Sequence, residues 1–131
     1  IVSISTTFEI TKEQLKKFDI DKNNYIKFET IDMGYDVIES EEQINHYKKI
    51  IFDSIREICR DKNIKTIHLC MSTSVAFTFA LGQGFSKNYD PKVIIYNYEN
   101  QEYAWGLKLF EKSEDSIIIP QNALEEQVKN S

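Results

Sequence analysis

Two short runs of hydroxyl side chains are where this sequence could do chemistry. One is Ser5-Thr6-Thr7, after a β-branched opening; the other is Ser72-Thr73-Ser74, between Met71 and an uncharged helical stretch. A helix start presents amide N–H groups without intrahelical partners and a partial positive charge, so the second run could hold a phosphate. The same residue types cap helices as a matter of course, and on the turn alone capping stands ahead. Tyr96, Tyr98, Tyr103 and Trp105 offer aromatic faces that either pack across strands or form a stacking surface for a nucleobase.

Bond-making chemistry finds little support. The sequence has no Gly-x-Ser-x-Gly elbow, and spacing pairs neither histidine with a nucleophile. His68 lies between Ile67 and Leu69 and reads as a satisfied core histidine, while His46 reads as a surface residue of a long helix. The two cysteines, Cys59 and Cys70, read as buried free thiols of a reducing compartment. His46, Cys59, His68 and Cys70 lack metal-ligand spacing, and Asp36, Glu39, Glu41 and Glu42 complement a helix dipole. Gly82-Gln83-Gly84 sits at the wrong end of its helix for a dinucleotide fingerprint. The expectation is therefore a binding protein without catalytic residues, metal or cofactor.

The elements that must position these residues come from hydrophobic period. Ile1 to Ser5 alternates as a strand, and Thr11 can cap a short helix from Lys12 to Phe18. Tyr25 to Glu29 reads as a strand near a sheet edge. Ser40 and Gln43 form a capping box, followed by Ile44, Tyr47, Ile50, Ile51, Ile55 and Ile58 at helical spacing to about Asp61. Ile64 to Met71 reads as a strand covered on both faces. No charge occurs from Val75 to Ser86, so that helix demands cover on nearly all sides, from a sheet, another layer or a partner. Lys92 to Tyr98 reads as a central strand, and Tyr103 to Phe110 as an outer strand paired back on it. Ser116 to Ile119 is a short apolar run, and Asn122 to Lys129 a terminal helix.

Strand, helix and strand with short connections favour a parallel pair with a right-handed crossover. The fold class is then α/β: a Rossmann-like, mainly parallel sheet flanked by helices, with an antiparallel hairpin near the C-terminus. Ligands of such sheets settle outside the carboxyl ends of the strands, which is where both hydroxyl runs fall.

The chain of 131 residues suits one domain over residues 1–131, and 41% hydrophobic content argues for a globular chain. A net charge of −5 gives no electrostatic reason to expect duplex nucleic acid, though a small anion held by local groups remains compatible. The longest apolar window, Ile67 to Leu81, is interrupted by polar residues and too short to span a membrane. The opening on Ile1 suggests a module cut from a longer polypeptide, cytoplasmic, with any membrane tether supplied upstream.

Ile67-His68-Leu69, Ser74, Ala76 and Ala80-Leu81-Gly82 resemble the strand–helix signature of SAVED domains. Pro91, Val93 to Tyr96, Tyr98-Glu99, Tyr103, Leu107 and Leu109 resemble the strand and hairpin that come after it in the family. Cys70 stands where a Phe is common, Ser72-Thr73-Ser74 replaces a small-residue and proline turn, and the length matches one CARF-like half. The resemblance implies a CARF-like sensor of cyclic oligonucleotide second messengers in bacterial anti-phage defence. It would bind a cyclic di-, tri- or tetranucleotide and self-associate as a dimer or head-to-tail filament, with two chains building one site. A fused or upstream effector would respond. The ligand-binding set so implied is Ser5, Thr6, Thr7, Met71, Ser72, Thr73, Ser74, Tyr98 and Trp105, with Lys65, Lys87, Lys92 and Lys108 as supplementary cations. A messenger-degrading enzyme and a ligand-free interaction domain are the alternatives.

Overall fold

The computed structural model describes residues 1–35 and 37–111 and the backbone of residues 117–118. Its elements run β1 (Val2–Ser5), a 3-10 helix (Glu13–Phe18), β2 (Ile26–Glu29), α1 (Glu41–Asp61), β3 (Thr66–Ser72), α2 (Val75–Gly84), β4 (Lys92–Glu99), β5 (Glu102–Lys108) and β6 (Ile117–Ile118). They form one sheet in the order β2-β1-β3-β4-β5-β6. The first four strands in that order are parallel; β4, β5 and β6 pair antiparallel. The molecule is a Rossmann-like α/β sheet with a C-terminal hairpin.

The order of the strands decides which face each connection covers. From β1 the chain steps outward to β2, then returns past β1 to β3 and continues to β4. Right-handed crossovers in opposite directions must lie on opposite faces. Accordingly α1 and α2 share one face, where Ile51, Phe52, Ile55, Phe77 and Leu81 pack on Val2, Ile4, Ile67, Leu69 and Val93. The other face is closed by Ile10, Leu15 and Phe18 against Cys70, Ile94, Tyr96 and Tyr103. The long helices therefore do not flank the sheet on both sides. The segment Ile10–Phe18 does the work of a second helix layer.

Local chemistry explains most boundaries. The Ser40 hydroxyl accepts from the Gln43 amide at 3.2 Å while the Gln43 side chain accepts from the Ser40 amide at 3.1 Å, fixing the start of α1. Thr11 and Gln14 exchange a similar pair, Thr11 N to Gln14 Oε1 at 3.1 Å and Gln14 N to Thr11 Oγ1 at 3.4 Å. The helix over Glu13–Phe18 is of the 3-10 type, and its three-residue turn brings Leu15 and Phe18 onto one side. Asn100 and Gln101, at φ 52° and 64°, make the tight hairpin between β4 and β5.

Two further expectations need correction. The strand β5 is not outermost, because Gly106 and Leu107 pair with Ile118 and Ile117 from the Ser116–Ile119 run. Among the described residues, the bare helix is not covered on nearly all sides by this chain either. In α2, Phe77 and Leu81 are buried, but Val75 is 88% and Phe79 66% exposed. A helix lying on a sheet hides one side only, and α1 does not reach around it. The expected terminal helix from Asn122 to Lys129 lies outside the described residues.

Candidate functional site

The strand order reverses between β1 and β3, and such a switch point opens a crevice beyond the strand ends. The register places Ser5 opposite Ser72, so both hydroxyl runs emerge at that point. Beyond it the Thr6 and Thr7 amides both donate to the Ser72 carbonyl at 2.9 Å, and the Phe8 amide donates to Ser72 Oγ at 3.1 Å. The Ser5 hydroxyl accepts from the Ile10 amide at 3.2 Å and is fully buried, so it holds the loop together. Thr7 is 8% exposed and lines neither of the two clefts at these strand ends.

In the second run, Ser74 caps α2, its hydroxyl accepting from the Phe77 amide at 3.2 Å. Thr73 Oγ1 bonds to Thr78 Oγ1, tying the turn to the helix. These hydroxyls are thus committed to structure. What they leave facing outward is the first turn of α2, beside exposed Val75 and Ala76, with its open amides and dipole.

A cleft of about 440 Å³ opens beside Ser72 on the 3-10 helix side, lined by Phe8, Glu9, Gln14, Met71, Ser72, Tyr98 and Tyr103. Tyr103 donates to the Met71 carbonyl at 2.9 Å, and burial pushes its phenol pKa well above the ordinary value. Tyr98 is half exposed, with its hydroxyl accepting from Gln14 Nε2 at 3.3 Å and its ring 5.3 Å from that of Tyr103. Met71, Ser72 and Tyr98 therefore meet in one cleft.

Trp105 does not join them. The β4–β5 register shifts between Asn97 and Tyr98, so Tyr98 pairs with Tyr103 but Asn97 pairs with Trp105. Adjacent strand residues face opposite ways, which sends Trp105 to the side of Asn97, where its indole donates to Glu99 Oε2 at 3.1 Å. Phe8 and Gln14 entered no sequence-based site. Their place depends on the turn after β1, which no local pattern encodes.

A second cleft, of about 570 Å³, lies on the helix side of the same strand ends, with Ser5 and Thr6 in its lining. The two clefts share a wall, since Thr6 lines one, Ser72 lines the other, and they are joined by the 2.9 Å bond from the Thr6 amide.

The four lysines sit elsewhere. Lys65 and Lys92 pair through a backbone bond of 3.2 Å where β3 and β4 begin, Lys108 lies opposite Ile94, and Lys87 precedes β4. All four are at the opposite edge of the sheet, because a parallel pair starts where its ligand edge is not. His68 is 1% exposed, with Nδ1 2.9 Å from the Tyr96 hydroxyl, as suits a core histidine. Burial raises the pKa of both thiols, Cys70 most. Among the described residues, no helix is long and apolar enough to cross a membrane.

No curated protein matches the chain. One family model does, over residues 1–109, that is from the first residue through the hairpin that builds the cleft. With the strand order, the switch point and the β3–α2 turn all inside that match, the chain belongs to the SAVED family, the SMODS-associated sensor domains fused to various effectors.

Proposed function

We propose that this sensor domain binds a cyclic oligonucleotide second messenger in the cytoplasm and passes the signal by assembling with further copies, which activates an effector in anti-phage defence. The observation that carries the reading is the convergence of both hydroxyl runs at the switch point, beside a cleft walled by Tyr98. A phosphate sits against the first turn of α2, and a base stacks on Tyr98. Among the described residues no cation lines that cleft, and its Glu9 is ion-paired with Lys27 at 3.5 Å. Phosphate recognition therefore falls to amides, hydroxyls and a second chain that completes the site. The uncharged outer side of α2, with Val75 and Phe79 exposed, supports assembly.

Calorimetry against cyclic di-, tri- and tetranucleotides tests the reading. Binding, thermal stabilisation and recovery of intact messenger are expected; a folded protein that ignores the whole panel overturns it. Ser72 is a poor place for a charge, because its hydroxyl receives the Phe8 amide. Ala76 is better, being exposed in the first turn of α2. There a carboxylate favours the helix but repels phosphate, so Ala76→Glu keeps the fold and weakens binding by about tenfold or more.

A further inference from the structure

The cleft on the helix side of the switch point has a chemistry of its own. Its walls are apolar, built from Ile4, Phe28, Tyr47, Ile50, Ile51 and Phe77. At 570 Å³ it falls within the roughly 300–1,000 Å³ of small-ligand sites. Among the described residues, its charged lining is Glu29 and Asp32, with no Lys, Arg or His. Such a cleft repels phosphate and accepts a flat, apolar group bearing N–H donors.

The two carboxylates differ. Glu29 is engaged by Lys27 at 3.5 Å, whereas Asp32 has no ion pair among the described residues. The loop carrying Asp32 is held by three bonds, Thr30 Oγ1 to the Asp32 carbonyl at 2.7 Å, the Thr30 amide to Ser5 O at 3.1 Å and the Gly34 amide to Thr6 O at 3.0 Å. The backbone around Asp32 is thereby held against the same turn that forms the wall shared with the Tyr98 cleft, with Asp32 exposed in the lining.

A carboxylate has only acceptors, so it favours the base whose edge offers two adjacent donors. Guanine does so with N1–H and its exocyclic amine. Adenine and cytosine place an acceptor beside their amine, and uracil offers one N–H between two carbonyls. We infer that this cleft takes a guanine base of the messenger, with Asp32 accepting from its Watson–Crick edge, while the phosphate lies across the Thr6–Ser72 wall. This rests on the proposed messenger binding and adds base selectivity to it.

Matched cyclic rings of two, three and four nucleotides, in which a guanine is present or replaced by adenine, test the inference by calorimetry. Whichever ring size binds, its guanine member is expected to bind at least about tenfold more tightly, because the adenine edge leaves a carboxylate lone pair facing an acceptor. Asp32→Asn should weaken the guanine ring and tighten the adenine ring, because an amide offers the adenine edge both an acceptor and a donor, whereas a structural role for Asp32 would weaken both. Equal affinity for the matched rings, or a preference for adenine, overturns the guanine site and leaves the messenger reading intact. Silence of every ring overturns both.

Discussion

At the scale of single residues, the proposed site depends on side chains that already hold one another in place. Tyr103 is anchored through its hydroxyl to Met71, and Tyr98 rests against it, so the proposed stacking surface is presented by a packed partner. Further along the same hairpin, Gly106 lets β5 lie close against β4. A Cβ there would lie 2.8 Å from Ile94 Cγ2 and 2.9 Å from both the Ile95 carbonyl and Tyr96 Cδ1. One neighbour is backbone and the others are core, so none can yield cheaply. Gly106→Ala is expected to cost about 1–3 kcal/mol in chemical denaturation. A change within a few tenths of wild type would show that the hairpin shifts freely. His68 illustrates the limit of residue type as a guide. Its bond to Tyr96 uses it in the core, as its apolar neighbours in sequence indicate.

At the scale of elements, one ionic clamp holds the helix layer together. Arg56 on α1 reaches Asp90 with Nε at 3.1 Å and Nη2 at 3.2 Å, and also donates to the Gly84 carbonyl at the end of α2 at 2.9 Å. The Ser86 amide donates to the same carboxylate at 2.7 Å. Burial opposes ionisation of Asp90, but the Arg56 and Ser86 hydrogen bonds outweigh it and hold its pKa below the ordinary value. A depressed carboxylate pKa means the unfolded chain takes up the proton first. Its stabilisation is complete above the unfolded value of about 3.9 and is lost as pH falls through the lower folded value. Asp90→Asn should therefore flatten the acid limb of the stability–pH curve and cost about 1–2 kcal/mol at neutral pH. An acid limb identical to wild type would assign the pH dependence to other groups.

At the scale of the whole molecule, α2 links the two proposed activities. Its first turn faces the strand ends where ligand would sit, and its outer side carries Val75 and Phe79 with no charge nearby in sequence. Phe79 is exposed, so Phe79→Asp should leave the monomer's stability within about 0.5 kcal/mol. It should also abolish the ligand-dependent rise in size followed by light scattering. Unchanged assembly would move the interface elsewhere.

Much of this molecule was settled by sequence alone. The period of three and four in α1, its capping box, the strand alternations and the two hydroxyl runs are local signals, and each element stands within a residue or two of where its pattern put it. The residues of β3 and α2, taken together with those of the strand and hairpin after them, pointed to the family. Tertiary structure decided the rest, because register and crossover direction are long-range properties. The reversal of strand order between β1 and β3 put both long helices on one face and brought Ser5 beside Ser72. A one-residue register shift carried Trp105 away from Tyr98, although the two stand close in sequence. The parallel arrangement left Lys65, Lys87, Lys92 and Lys108 at the far edge. The cleft with Asp32 exists only because the loop after β2 folds back onto the turn after β1, a meeting that no spacing along the chain foretells.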